Sequence, residues 1–543
     1  MTTETSAEFP VAWSDPADAA LTWARDPMHF PAPVTPLSAD FLIRCLEPGT
    51  AIACETLVSP IATLRQAAFN SWIYICPVPA VAPEAMGERI AAHMPVMGDH
   101  MDNLGRRWHE EYVPALVRLT EEIDALDFSG DGPSATAALD RLLEISIEIW
   151  RLHFLTVFPK LAAGERFSDI YVQVTGTTEE MEPYRCLQGI PNKSLETDRA
   201  LWDLAGEARA VPAVAEALAA GPAADALDAL DRSPEGREWR ERFEAFLTEY
   251  GNRAQELELA APTWIEEPSF AIENLRRYLS ADTADPEGQR ARLQAEAETL
   301  LAGARARITD PGLSVAFENA LAAARAAWPL EEDHSYYIDQ RSFAGATRRA
   351  VKRAATALAG AGRLADVDDV WFLDFPALRA GLAGADMRGP AADGRRRFAD
   401  DSLLEAPPLI GTPPDPDAPM DPGLVKFFGT PGPPVMEDRV LTGSAGSRGR
   451  VEGVARVVRS VDELHRVQPG EILVCRSTTP SWTPVFASIA GLVTDTGGVL
   501  AHGAIVAREY AIPAVMGTKI ATAVIEDGAR ITVDGDAGEV LIA

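Results

Sequence analysis

The chain has little cysteine, little positive charge and no long apolar run, and each shortage excludes something. Five cysteines in 543 residues (Cys45, Cys54, Cys76, Cys186 and Cys475) are scattered, odd in number and in no CxxC pair. They read as reduced packing residues, which argues for a cytoplasmic protein and against a disulfide scaffold or a zinc site. Lysine and arginine number 49 against 81 aspartates and glutamates, a formal net charge of -32. Nucleic acid and anionic membrane both need a basic protein surface, so neither is expected as a partner. No run of about 18 apolar residues is present, so no transmembrane helix is expected. The N-terminus, Met1-Thr-Thr-Glu-Thr-Ser-Ala-Glu8, has neither a basic region nor an apolar stretch, so no signal peptide is read there. There is no GxxxxGK phosphate loop and no HExxH pair. His93, His100 and His109 lack a ligand pattern, so no metal site is assigned.

What is present divides by composition. Apolar residues make up 47% of the chain, which is globular usage. Residues 1–95 are rich in proline and aromatics, with short apolar runs such as Ser71-Trp-Ile-Tyr-Ile75 that predict strands. Residues 96–404 are dominated by alanine, leucine, glutamate and arginine. Helical spacing of apolar residues runs through Ala137–Phe158, Glu235–Tyr250, Glu287–Ala306 and Ser314–Trp328. Pro407 to Pro434 holds ten prolines and four glycines in 28 residues, a composition that excludes a helix or a central strand. Residues 405–440 therefore read as a linker. After it, 441–543 alternates short β-rich runs (Gly453–Val458, Ile472–Cys475, Gly491–Val493, Arg530–Val533, Val540–Ile542) with short helices.

The most informative stretch is Thr494-Asp-Thr-Gly-Gly-Val-Leu-Ala-His-Gly-Ala-Ile-Val-Ala-Arg-Glu509. It sets His502 beyond a double glycine, at the mouth of a predicted helix that follows a buried strand. A neutral imidazole is a nitrogen nucleophile near pH 7. Helix N-terminal amides and the positive dipole end would stabilise a phosphate carried on that nitrogen. Gly497 and Gly498 would let backbone approach it, and Thr494, Thr496 and Arg476 are nearby donors in sequence, with Thr478 and Thr479 on the same rim. Arg508 lies six residues along the helix, about 240° round, and is expected to point away from the phosphate and brace the domain.

These residues resemble the phosphohistidine swivelling domain of the phosphoenolpyruvate-utilising enzymes. The signature is matched at Thr494, Gly497, Gly498, His502, Ala504, Ile505, Val506, Ala507 and Arg508, then at Pro513, Val515 and Gly517. Ala501 stands where many relatives have serine. Further segments resemble rifampicin phosphotransferase-type proteins, in the same order: Pro33-Val-Thr-Pro-Leu-Ser38, Phe69-Asn-Ser-Trp-Ile-Tyr74, Phe246 to Glu256, Pro262 to Pro268, and Gly362 to Leu373. Ser71 replaces a glycine and Asn252 a histidine of those patterns. The resemblance implies a multidomain protein. It would join a mainly α-helical acceptor-binding region, with a small N-terminal α+β part, to a C-terminal β/β/α swivelling phosphohistidine domain.

The resemblance also implies a function. His502 would take phosphate originating in ATP and pass it to the hydroxyl of a small molecule. Full-length relatives carry an ATP-grasp domain or a phosphoenolpyruvate-binding barrel, and neither is recognised here. A separate ATP-grasp subunit, binding ATP and Mg²⁺, is therefore the expected partner, with no cofactor assigned to this chain. Phenylphosphate synthases and cresol-phosphorylating synthases divide their parts this way, which makes a phenol or cresol the analogous acceptor. An antibiotic or natural-product alcohol, or a non-catalytic phosphocarrier passing phosphate to a protein, are the alternatives. Candidate acceptor-site residues are Arg253 and Glu256, three apart and expected to share a helix face. Arg253 would meet the phosphoryl group and Glu256 would position or deprotonate the acceptor. His153, on an apolar helix, and His334 with Arg341, in a polar-aromatic cluster, complete the set.

Overall fold

The computed structural model describes residues 9–279, 286–414, 422–430 and 432–543. The N-terminal reading at Met1–Glu8, and residues 415–421 and 431 of the linker, lie outside the described residues. Two compact units are present. The first comprises Met1–Pro159, Glu256–Ala261 and Tyr337–Pro419, and the second Lys160–Gln255, Pro262–Tyr336 and Met420–Ala543.

The first unit is built on an antiparallel sheet of β1 (Thr22–Arg25), β2 (Ile61–Phe69), β3 (Trp72–Pro79) and β4 (Leu409–Gly411), in the order β2-β3-β1-β4. The β2–β3 hairpin closes with Phe69 opposite Trp72, so two residues, Asn70 and Ser71, make the turn. Their φ values of 49° and 65° are those a tight right-twisted hairpin demands. Ser71 thus occupies a conformation that glycine suits, and its hydroxyl donates to Asp401 Oδ2 at 2.7 Å. Trp23, Phe69, Trp72 and Tyr74 form the core beneath the sheet. The helix Pro36–Thr56 begins at the Thr35-Pro-Leu-Ser38 motif, and the motif has a visible job. The half-buried Glu258 carboxylate accepts from the Thr35 amide and hydroxyl, both at 2.9 Å, from the Ala260 amide at 2.8 Å, and from Ser38. Those donors satisfy a carboxylate whose burial nonetheless raises its pKa above the ordinary value.

The second unit joins a helical layer to a mixed sheet. Its helices include Lys193–Ala210, Pro234–Tyr250, Ser269–Leu279, Pro286–Arg305 and Pro311–Ala327, and Trp239, Phe243, Trp264, Leu275 and Tyr278 fill the core of the first three. The periodic stretches read from the sequence coincide with observed helices, two of them running one residue past the helix end, at Ala306 and Trp328. The nine described strands are β5 (Val435–Glu437), β6 (Val440–Thr442), β7 (Ser444–Ser447), β8 (Arg450–Val458), β9 (Ile472–Cys475), β10 (Gly491–Thr494), β11 (Ala514–Met516), β12 (Arg530–Asp534) and β13 (Glu539–Ile542). They run in the order β5-β6-β13-β12-β8-β9-β10-β11-β7. β8, β9, β10 and β11 are mutually parallel, and the flanking strands are antiparallel. The parallel centre is buried on both faces, which is why β9 and β10 read as unbroken apolar runs. A helix-rich multidomain chain with a C-terminal mixed-sheet domain is therefore what the structure contains.

One expectation needs correcting. The proline-rich segment does form a helix, Pro422–Phe428. Proline is tolerated in a first helical turn, where its missing N–H has no intrahelical partner to lose. β4 and β5 both lie at sheet edges, where proline-flanked chain is admitted.

Candidate functional site

His502 is the first residue of the helix His502–Glu509, which follows β10 after a seven-residue loop. The helix is short, and every residue from Gly503 to Glu509 is buried. Small side chains allow this: Ala504 and Ala507 pack against Leu473, Leu492 and Met516 of the sheet. Ala501 caps the helix without a side-chain hydrogen bond, as expected where serine is missing.

The imidazole is 10% exposed and has partners at both nitrogens. Thr478 Oγ1 lies 3.1 Å from Nδ1, and Thr483 Oγ1 lies 3.4 Å from Nε2. Thr483 donates its own proton to the Pro480 carbonyl at 2.9 Å, so toward the ring it acts as an acceptor. Nε2 then carries the ring proton and Nδ1 accepts from Thr478. Phe486 closes one side, edge-on at 6.2 Å. Glu332 Oε2 stands 3.9 Å from Nε2. Burial lowers the His502 pKa below the ordinary imidazole value; Glu332 opposes this and Arg253 reinforces it.

Glu332 and Arg253 complete a buried charged cluster. Glu332 is 2% exposed; its Oε2 accepts from Ser194 at 2.5 Å, while its Oε1 has no hydrogen-bond partner among the described residues. Arg253 is 1% exposed and donates to Thr197 Oγ1 at 2.6 Å, to the Pro480 carbonyl at 3.2 Å and to the Lys193 carbonyl at 3.4 Å. Burial depresses its pKa to about 10, with Glu332 the main opposing influence. Lys160, fully buried beside Glu331, is pushed by burial to about 7, again against Glu332. One carboxylate is thus felt by three buried basic groups.

The other residues expected from the sequence fall as follows. Thr494 donates to the Thr496 carbonyl and Thr496 to the Arg476 carbonyl, so both hydroxyls are spent inside the loop. Arg476 is exposed. The double glycine admits protein backbone rather than opening onto His502: the Gly498 amide donates to Phe427 O at 2.8 Å and the Leu500 amide to Lys426 O at 2.8 Å. A Cβ on Gly498 would sit 2.2 Å from the Lys426 carbonyl oxygen. Arg508 points away from His502 and donates to Gly446 O and Val499 O, each at 2.8 Å. Arg253 and Glu256 do not share a helix face, because the helix ends at Tyr250. Gly251 explains the stop, since a Cβ there would lie 2.4 Å from Leu247 O and 2.7 Å from the Ile265 side chain. Glu256 is assigned to the first unit, as are Arg341 and His153, whose ring stacks edge-on with Trp150 at 4.9 Å and Phe154 at 4.8 Å. His334 is buried, and its Nδ1 donates to the Leu330 carbonyl at 2.5 Å, a core role.

Glu332, Ser194 and Thr483 were not picked out by sequence reasoning. Thr478 was. The far end of the His502 helix is also fastened. Glu509 accepts from the Gly189 amide at 3.2 Å, and Tyr510 donates to Asp198, which also accepts from Tyr278. Beside this end lies a cavity of about 380 Å³ lined by Asn192, Lys193, Arg199, Asp333, Glu509 and Tyr510 among others. That volume is within the usual range for small-molecule pockets.

Comparison with known proteins fits this geometry. Residues 163–332 match the model of the rifampicin phosphotransferase fourth domain, and 467–538 that of the mobile domain of PEP-utilising enzymes. The chain is 31% identical over 99% of its length to chondramide synthase cmdD of Chondromyces crocatus, covering 14% of that protein. It is 29% identical over 96% of its length to an uncharacterized phosphotransferase, YvkC, of Bacillus subtilis, covering 62% of it. A rifampicin phosphotransferase of Streptomyces sp is 34% identical over 55% of this chain and 34% of its own length. The chain thus spans less than two thirds of each of these relatives. Among the described residues no helix is long and apolar enough to cross a membrane.

Proposed function

We propose, from the premise that this chain is a PEP-utilising, rifampicin phosphotransferase-like protein, that it is a phosphotransferase in which His502 carries phosphate on Nε2 and delivers it to a small-molecule hydroxyl. The observation that carries this reading is the site itself. A histidine at a helix N-terminus has Nδ1 held by Thr478 and Nε2 turned toward the Glu332 and Arg253 cluster. Phosphoryl transfer asks for alignment and charge neutralisation more than for covalent help. Thr478 supplies the alignment, since its hydroxyl can donate to Nδ1 or accept from it as the ring changes state. Arg253 is the cation that would balance a phosphoryl group, and its contacts to Pro480 tie it to the loop bearing Thr478 and Thr483.

A small acceptor is supported over a protein acceptor by the burial of the ring, 10% exposed in this arrangement. A phenol or cresol, or a natural-product alcohol, fits the proposal equally. The phosphate source is proposed to be ATP bound with Mg²⁺ by an ATP-grasp module on a separate subunit. The test is incubation with β-labelled ATP and a candidate ATP-grasp subunit. Acid-labile, alkali-stable label is expected on the wild-type chain and none on His502→Ala. Label retained by that variant would sink the reading.

A further inference from the structure

We infer that Glu332 is a catalytic acid–base of this transfer, moving the proton of the acceptor hydroxyl to the departing imidazole nitrogen; the inference rests on the reading of His502 as the phosphoryl carrier. A buried carboxylate normally gathers several donors, because its charge is costly to strip of water. Even the half-buried Glu258 in the first unit has four. Glu332, at 2% exposure, has one, from Ser194 to Oε2. Among the described residues its Oε1 is left without a hydrogen-bond partner, and Oε2 faces the nitrogen that would bear phosphate, at 3.9 Å. The two oxygens are therefore placed for different work. Oε1 is free to accept from an O–H donor, and Oε2 is next to the leaving atom.

The balance closes without any further reactant. The acceptor oxygen forms a bond to phosphorus as the P–Nε2 bond breaks. The acceptor proton passes to Glu332, and from Glu332 to the Nε2 lone pair released by the cleavage. The product state is a neutral imidazole protonated at Nε2, which is the tautomer the Thr483 and Thr478 contacts select in this structure. A carboxylate beside a phosphoryl group is a like-charge pair, and Arg253 offsets it: its guanidinium is buried in the same cluster and couples to Glu332 and to His502. Lys160 adds a second basic group under the influence of Glu332.

The experiment uses the full chain charged with potassium phosphoramidate, so that no partner is needed, and follows phosphohistidine by phosphorus NMR. Methanol in aqueous buffer is the acceptor probe. Wild type and Glu332→Gln are both charged to the same phosphohistidine signal before discharge begins, so their rates of charging do not enter the comparison. Discharge to methyl phosphate is expected to be about a hundredfold or more slower in Glu332→Gln, the usual scale of a lost acid–base group. Glu332→Asp should recover part of the rate. Gln keeps the shape and the Ser194 contact, so an unchanged melting temperature excludes misfolding as the cause. Equal discharge by wild type and Glu332→Gln overturns the assignment. A phosphohistidine signal that persists in His502→Ala overturns instead the carrier reading beneath it.

Discussion

Replacing Gly498 by alanine should release the segment 425–429 from the His502 loop. The added Cβ would lie 2.2 Å from the Lys426 carbonyl oxygen, 2.7 Å from its carbon and 2.9 Å from Val425 O. These are backbone atoms on both sides, so no side chain can swing aside to make room. Gly498 has an ordinary negative φ, so the alanine itself is not strained and the clash alone acts. Displacement would cost the bonds from the Gly498 and Leu500 amides, each about 0.5–1.5 kcal/mol. It would also loosen Lys426 from Glu165, 2.7 Å away and largely shielded from solvent, for roughly another 1 kcal/mol. The total is about 2–4 kcal/mol of local stability, or on the order of a hundredfold in the opening equilibrium. Hydrogen exchange at the Leu500 amide reads this directly, and should quicken by that factor while the amides of β9 and β10 keep their protection. Unchanged exchange at Leu500 would refute the reasoning, because it would mean the chain accommodates a methyl group where the structure leaves no space.

Two further outcomes follow from the same unit. Asp198 is raised by burial from 3.8 to about 6, and Glu509 from 4.5 to about 7, so the folded chain holds these protons more tightly than the unfolded chain. Their stabilising contribution is complete below about pH 4 and is lost as pH rises through about 6 to 7; the lowered His502 runs the other way, losing its contribution as pH falls. Melting temperatures across this range should show Asp198→Asn losing part of the wild-type decline between pH 4 and 6, and an identical slope would count against it. Thr478→Val removes the hydroxyl on Nδ1 and should slow charging of His502 by phosphoramidate about three- to tenfold, the worth of one modest hydrogen bond. A rate equal to wild type would show that the ring needs no such anchor.

Elements were legible in the sequence where local pattern and environment agree. β9 and β10 are apolar throughout because both faces are buried, and the long helices carry clean periodicity because each has one buried face. The placement of His502 at a helix mouth was legible for the same reason: strand, glycines and small-residue helix are all local features. Function-bearing contacts were not, and the run Glu331-Glu332-Asp333 shows why. Glu331 pairs with Lys160, Glu332 faces His502, and Asp333 accepts from the Lys193 amide at 2.7 Å. Three successive acids have three different partners, and only tertiary packing separates them. Gly498 makes the same point in reverse. A glycine declares that something comes close, but not what, and here it is the chain's own residues 425–427.

That close approach sets the working length of a leash. With residues 425–429 held against the Gly498 loop, and Lys426 bonded to Glu165 and Tyr184, only residues 430–434 lie between the held segment and β5, a contour of at most about 18 Å. Whatever competes for the two amide protons at Gly498 and Leu500 would therefore free that length of chain from the loop that bears His502, without altering a residue of either segment.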